Sequence, residues 1–248
     1  MSKLLGFLGR PHISKEFGTI YPPTVAQVVE NKGVLMFYNV VTQTQEDIWD
    51  AMAIERGERP NGERYEDAPT PFLLFLQYYY NNPNKMNQGM EPFFGSRVLI
   101  PSEQAKGLLL VDPDHLTSIE DVTLIDEENF LDFQNAIRNV MGEKSIEAPD
   151  PNEHPKISAF KAKARYREQI ANKSKGGTIT FEEMVIAVSC MHPNISPLNV
   201  GELPYPALFE LFKKLNAKES YDTQVRAATS GFGGSLKGLK NWMKDDEQ

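Results

Sequence analysis

The sequence is poor in the residues that build disulfides, metal sites and nucleophilic active sites. Its 248 residues include one cysteine, Cys190, and four histidines. One cysteine cannot form an internal disulfide, and together with scattered histidines it cannot assemble a cysteine-rich zinc site. The composition therefore indicates neither a disulfide-stapled module nor a metal centre, and we expect no cofactor.

Long hydrophobic runs are also missing. The longest, Phe72 to Leu76, is far shorter than the roughly 20 residues that span a bilayer. The apolar run between Met1 and Arg10 is shorter than the core of a signal peptide and lacks a small-residue cleavage site. These features predict a folded protein that stays in the cytoplasm and has no membrane partner.

Charge is unevenly distributed along the chain. Acidic residues number 34 against 26 lysines and arginines, a net charge of -8, which disfavours nucleic acid as a partner. Residues 156–175, however, hold seven basic residues and one acid. Lys161, Lys163, Arg165 and Arg167 could contact phosphates. Because acids crowd the stretch from Glu120 to Glu153, an internal or intersubunit charge match and an acidic protein partner are equally open.

The first third of the chain mixes a strand with helices. Loose alternation predicts an irregular or edge strand over Ile13 to Tyr21, and the proline pair after it predicts a helix over Thr24 to Val29. Thr44 and Asp47 match a capping box. The aromatic run Phe72 to Tyr80 is apolar on all sides, which is typical of a buried helix or a subunit interface.

The middle of the chain has the pattern of a small sheet. Arg97 to Ile100 and Gly107 to Val111 are short apolar runs that predict a hairpin. Val122 to Ile125 either adds a third strand or leads into the next helix. Asp126 is a suitable N-cap for that helix, in which Phe130 and later apolar residues recur at helical spacing.

The C-terminal part has helical patterns. Thr180 and Glu183 form a second capping box, and the apolar residues from Phe181 to Val188 lie along one stripe. Leu208, Leu211, Phe212 and Leu215 define the apolar face of a long final helix.

Together these patterns predict an α+β fold that is predominantly α-helical, with a small antiparallel β element in the N-terminal and middle part and a helical C-terminal part. The predicted organisation is a mixed domain at 1–142, an acidic, proline-containing linker at 143–155, a helical domain at 156–229 and a flexible glycine-rich tail at 230–248.

No constellation of catalytic residues emerges. Cys190 lies two residues before His192, but this spacing at a helix end does not ensure that sulfur and imidazole meet, and we infer no catalytic dyad. A calcium loop beginning at Asp112 would need glycine and an acid where Thr117 and Thr123 stand. The glycines of 231–234 follow no strand and precede no Gly-Lys-Ser/Thr sequence, so they do not form a P-loop. We expect a protein that is not an enzyme.

Several segments resemble proteins encoded in the structural modules of tailed phages and prophages of Gram-positive bacteria. They are Ile20 to Val25, Thr178 to Val185 with Ser189 to Met191, and the closing Tyr221-Asp222, Ser230-Gly231 and Trp242. Several of those proteins are described as tail assembly chaperones. The resemblance touches both ends of the chain and is weakest over 61–120.

The resemblance implies a chaperone that binds the apolar, helical tape measure protein and keeps it soluble during tail assembly. The residues we expect to contact this partner are Phe72, Phe75, Tyr78, Tyr79, Tyr80, Lys161, Lys163, Arg165, Arg167, Phe232 and Trp242. A structural virion component, such as a connector, tail terminator or baseplate protein, is an alternative that would place the protein in the virion. A nucleic-acid-binding regulator is a second alternative, and homo-oligomerisation is open.

Overall fold

A computed structural model describes residues 2–113, 122–150, 152–174 and 179–230. The described chain forms helices α1 (Ser2–Phe7), α2 (Val25–Glu30), α3 (Gly33–Val41), α4 (Gln45–Glu55), α5 (Pro71–Asn81), α6 (Pro83–Phe94), α7 (Phe130–Val140), α8 (Pro155–Ser174), α9 (Phe181–Met191) and α10 (Tyr205–Thr229). Its strands are β1 (His12–Ser14), β2 (Gly18–Ile20), β3 (Val98–Ser102), β4 (Gly107–Val111) and β5 (Val122–Ile125). These helices and small antiparallel sheets confirm the predicted α+β, predominantly helical class.

An aromatic core holds α3, α5, α6 and α7 together. Phe133 of α7 contacts Phe17 at a ring-centroid distance of 5.2 Å and Phe94 at 5.8 Å, and Phe37 of α3 meets Phe93 of α6 at 5.6 Å. Burial of large aromatic side chains contributes the largest apolar area per residue. This cluster therefore stabilises the packing of the N-terminal and middle elements.

The two sheets lie against this core. β1 and β2 form an antiparallel hairpin in which His12 pairs with Ile20, and β3, β4 and β5 form an antiparallel meander. The Tyr79 hydroxyl donates to the Leu99 carbonyl at 2.6 Å, and the Leu99 amide donates to Asn87 at 2.7 Å. These bonds connect α5 and α6 to the edge strand β3.

The C-terminal helices pack on α2. Val25, Val188, Val200 and Leu208 form a second buried cluster, and the Val25 amide donates to the Leu203 carbonyl at 2.9 Å. α2 belongs to the sequence range predicted as the N-terminal domain, yet its side chains pack with α9, α10 and the 3₁₀ turn Val200–Glu202. The division into domains stays a prediction.

Most local predictions are confirmed. The structure contains the predicted β3–β4 hairpin, makes Val122 to Ile125 the third strand, and shows complete capping boxes at Thr44 and Thr180. In each box the threonine hydroxyl accepts from the amide three residues later. This bond satisfies an amide that the first helical turn leaves unpaired.

Two local predictions are wrong. The single strand predicted over Ile13 to Tyr21 is a tight hairpin, because Gly18 adopts a positive φ of 74° and lets the chain reverse. Asp126 does not cap α7, which starts at Phe130 with Asn129 before it. The Asp126 carboxylate instead accepts from the amides of Glu128 and Asn129.

Among the described helices, α1, α3 and α6 have no sequence prediction. The predicted tail beyond Ser230 lies outside the described residues. Within the described ranges, no helix has the length and apolar content needed to cross a membrane.

Candidate protein-binding site

The aromatic run forms the amphipathic helix α5. Phe72, Phe75 and Tyr79 are buried in the core, with Phe75 fully inaccessible, whereas Tyr78 and Tyr80 are 41% and 57% exposed. The expectation that all five side chains contact a partner stays a prediction, and exposure favours it most for Tyr78 and Tyr80. Phe72 and Phe75 pack against Phe130 of α7, and the Tyr79 hydroxyl donates to the Leu99 carbonyl of β3. Tyr78 and Tyr80 are exposed to solvent.

The basic side chains of α8 fall into two groups: some form ion pairs within the protein, and others are exposed to solvent. Arg165 donates from Nε to Asp50 at 2.8 Å and from Nη1 to Glu46 at 3.1 Å, both on α4. Asp50 is almost fully buried. Burial opposes the charge of Arg165, but the hydrogen bond to Asp50 and the nearby acids raise the pKa of Arg165 further above its usual range. This arginine fixes α8 to α4.

A second ion pair secures the start of α8. The Lys161 ammonium contacts the Glu153 carboxylate, which also accepts from the Ser158 hydroxyl at 2.8 Å. The hydrogen bonds from Lys161 and Ser158 lower the pKa of Glu153, and the bond to Glu153 raises the pKa of Lys161. Lys163 and Arg167, in contrast, lie exposed to solvent. The two predicted tail anchors, Phe232 and Trp242, lie outside the described residues.

A groove of about 640 Å³ lies between the first turns of α4 and α5, helix α7 and the segment 145–150. Its lining residues are Thr44, Gln45, Glu46, Thr70, Pro71, Phe72, Glu127, Phe130, Leu131, Gln134, Arg138, Ser145, Ile146, Glu147, Ala148, Pro149, Asp150, Glu153 and Lys161. We call this surface the α7 groove.

Local capping and hydrogen bonds give the α7 groove a fixed shape. Thr70 caps α5, which starts at Pro71, and the buried Gln134 donates to the carbonyls of Val41 and Gln43 at 2.7 and 2.9 Å. Asn135 accepts from the Ile146 amide at 2.6 Å and donates to its carbonyl at 3.1 Å. The segment predicted as a linker is therefore tied to α7 as a wall of the groove.

The groove combines an apolar floor with an acidic rim. Phe72 and Phe130 meet at a ring-centroid distance of 5.4 Å at the floor. Five carboxylates lie around it, those of Glu46, Glu127, Glu147, Asp150 and Glu153, against two cations, Arg138 and Lys161.

The ion pairs of the rim leave an excess of negative charge. Glu46 and Glu153 pair with α8, and Arg138 pairs with Glu143 outside the groove at 3.0 Å. Glu127 and Glu147 are exposed, and the described residues give neither of them a hydrogen bond or an ion pair. The groove therefore favours a ligand that is apolar on one side and positively charged on the other.

One known family model matches the C-terminal part of the chain, outside the groove. Residues 171–246 match the family model of the second domain of YomV, a protein encoded by phages and prophages. The match indicates a phage-related protein. It covers less than half of the chain, and its described part comprises the end of α8, helix α9 and helix α10. No curated protein and no solved structure matches the chain.

Sequence reasoning found the basic helix but not the groove. The lining residues come from four stretches, around 44–46, 70–72, 127–138 and 145–161, which no local motif connects. The surplus of acids upstream of α8 was the available signal for an internal charge match, and the Lys161–Glu153 pair is one such match. The partners of Arg165 lie more than 100 residues away in sequence, so spacing could not identify them.

Proposed function

We propose that this protein is a non-enzymatic phage tail assembly chaperone that binds helical segments of the tape measure protein in the α7 groove. The observation that carries the proposal is the groove itself, whose apolar floor is surrounded by more carboxylates than cations. The phage-related family match and the resemblance to tail-module proteins support the biological setting.

The shape and charge of the groove suit an amphipathic helix. A helix laid in such a groove would place apolar side chains over Phe72 and Phe130 and direct lysine or arginine side chains toward Glu127 and Glu147. Apolar contact supplies most of the affinity, whereas opposite charges accelerate encounter and fix orientation. Coating the apolar stripe of a long helical protein in this way would keep that protein soluble.

Exposed residues elsewhere on α5 and α8 are further proposed contacts. Tyr78 and Tyr80 of α5 and Lys163 and Arg167 of α8 remain in solvent and keep their predicted role as partner contacts. Lys161 and Arg165 instead hold α8 in place through their acidic partners. This reduces the positive charge that α8 could offer to nucleic acid and weakens the proposal of a nucleic-acid-binding regulator.

Co-expression tests the chaperone proposal. Expressed with the tape measure protein of the same phage or prophage, the chain should increase the soluble fraction of that protein and co-purify with it. A matched pair of variants separates the groove from general solubilisation: Glu127→Lys combined with Glu147→Lys should abolish the effect, whereas Glu103→Lys on the exposed β3–β4 loop should not. No gain in solubility and no co-purification would contradict the proposal.

A structural virion component is the second candidate. Large exposed apolar side chains favour it, among them Phe160 on α8 at 73% exposure and Leu198 before α10 at 96%, because permanent assemblies bury such groups. Mass spectrometry of purified virions distinguishes the two candidates. A chaperone should be nearly absent from mature particles, and a structural component should be present at a fixed copy number.

A further inference from the structure

A second, smaller cavity lies where α10 meets the N-terminal core. It has a volume of about 290 Å³ and is lined by Tyr38 of α3, by Met141, Gly142 and Glu143 after α7, and by Tyr205, Pro206, Phe209 and Glu210 of α10. Its size is below that of most drug-sized ligand pockets and suits one side chain better than a helix. We call it the junction pocket.

Its walls are aromatic. The rings of Tyr205 and Phe209 stand nearly perpendicular, with centroids 4.8 Å apart and an interplanar angle of 74°, and Tyr38 supplies a third ring. The faces of aromatic rings carry partial negative charge and attract a cation placed within about 6 Å of the ring centre.

The carboxylate of Glu143 is placed in this pocket by the end of α7. Gly142 adopts a positive φ of 75°, its amide donates to the Asn139 carbonyl, and the Glu143 amide donates to the Arg138 carbonyl at 2.9 Å. This is the pattern of a Schellman motif, which glycine permits because it has no Cβ. Glu143 therefore has a defined backbone position at the pocket, and Glu210 adds a second carboxylate.

The ionisable side chains that line the pocket are two carboxylates, Glu143 and Glu210, and two phenols, Tyr38 and Tyr205. Burial and, after it, the Glu143 carboxylate raise the pKa of Tyr205 to about 12. Burial, followed by the same carboxylate, also raises the pKa of Tyr38, so both phenols are neutral at physiological pH. Arg138 forms an ion pair with one oxygen of Glu143 at 3.0 Å. An ionised carboxylate has about four acceptor positions, so Glu143 can accept further hydrogen bonds.

The helix ends around the pocket act in opposite directions. The C-terminal end of α7 contributes negative partial charge, and the N-terminal turn of α10 contributes positive partial charge. These contributions offset one another, which leaves the rings and the carboxylates to determine which ligand the pocket prefers.

We infer that the junction pocket binds the guanidinium group of an arginine side chain presented by a protein partner. The flat guanidinium can stack on the rings of Tyr205 or Phe209 while its N–H groups donate to the Glu143 carboxylate, a combination that an ammonium group cannot reproduce. This site is separate from the α7 groove and does not depend on the tape measure proposal. An arginine bound there would contact α3, the end of α7 and α10 together.

Titration of the intact protein with N-acetyl-arginine amide, followed by NMR, tests this inference. The signals of the Met141 methyl group and the Phe209 ring should shift in a saturable way. The citrulline analogue has nearly the same shape without the charge, and it should bind at least about tenfold more weakly, a difference of about 1.4 kcal/mol. N-acetyl-lysine amide should also bind more weakly than the arginine compound.

Variants locate the binding. Glu143→Gln and, separately, Phe209→Leu should each weaken arginine binding about tenfold or more, whereas Glu219→Gln, exposed farther along α10, should leave it unchanged. Circular dichroism identifies any variant that fails to fold, and the comparison of arginine with citrulline on the unaltered protein stands without variants. Equal binding of the two compounds, no binding, or tighter binding of lysine would overturn the inference.

Discussion

Gly89 shows how a single residue sets the distance between two helices. A Cβ atom at this position of α6 would lie 2.2 Å from the carbonyl oxygen of Gly33 and 2.8 Å from the Cβ of Phe37, both on α3. The backbone of Gly33 cannot move away from an added methyl group as easily as the end of a flexible side chain could. The two glycines thus allow α3 and α6 to approach closely enough to bury Phe37 and Phe93.

The substitution Gly89→Ala tests this close approach. In an unconstrained helix, alanine is more favourable than glycine by about 1 kcal/mol. Here we expect the opposite sign, a loss of about 3 kcal/mol in the free energy of unfolding, because the methyl group forces the helices apart. Urea denaturation measures the change, and Asn84→Ala on the exposed side of α6 is the control. A stabilised Gly89→Ala variant would show that the helices separate at no cost.

Tyr205 predicts how stability depends on alkaline pH. Its pKa is raised to about 12 in the folded protein by burial, whereas an unfolded tyrosine titrates near 10. The unfolded chain therefore loses this proton first, so the contribution of Tyr205 is complete below about pH 10 and is lost as the pH rises toward 12. Tyr205→Phe should unfold with a shallower pH dependence over that interval in urea titrations at several pH values, and an unchanged slope would contradict the assignment.

At the scale of whole elements, ion pairs contribute to the attachment of α8 beside the burial of Ala162. Of the described part of the chain, it packs mainly on α4, and Arg165 joins the two helices through Glu46 and Asp50. Ion pairs on an exposed surface contribute little, but Asp50 is buried and depends on its partner. Removing the arginine leaves an uncompensated carboxylate in the protein interior.

Arg165→Ala should therefore lower the free energy of unfolding by about 2 kcal/mol, which is less than a fully buried pair would lose because Arg165 is partly exposed. Arg167→Ala, two residues along on the solvent side, should change it by less than about 0.5 kcal/mol. Thermal and urea unfolding of both variants provide the measurement. Equal effects of the two substitutions would mean that the Asp50 pair does not hold α8.

Elements with strong local signals could be predicted from the sequence, and the others could not. The β3–β4 hairpin and the capped helices α4 and α9 follow from short-range rules that act within a few residues. α3 starts without a side-chain cap and is apolar along most of its length, whereas α6 contains Gly89 and Pro92. Both helices form because their contacts with each other outweigh local propensity, and those contacts join segments far apart in the chain.

The same limit applies to the candidate site. The exposed residues of α8 follow from composition, but the α7 groove exists only after α4, α5, α7 and the segment after α7 have assembled. Burial of Phe75 likewise depends on which side of α5 meets α7, and burial of Tyr79 depends on the approach of β3. An aromatic run in a sequence does not reveal which of its faces will be covered.

At the scale of the whole molecule, α2 joins the two hydrophobic clusters. Val28 packs in the aromatic core, and Val25, three residues earlier, packs with α9 and α10. The Tyr205 amide adds a hydrogen bond to the Pro23 carbonyl at 2.8 Å. The part that matches the phage family model is therefore connected through α2 to the core that carries the α7 groove.

The central claim is that the tape measure protein binds in the α7 groove. The most direct test is to measure the affinity of that protein for this chain with and without charge reversal at the groove. Glu127→Lys with Glu147→Lys should weaken binding at least about tenfold, or about 1.4 kcal/mol, and should reduce its sensitivity to salt. Glu103→Lys, exposed on the β3–β4 loop, should bind as the unaltered protein does. Unchanged affinity in a folded double variant, or an equal loss in the control, would contradict binding in the α7 groove.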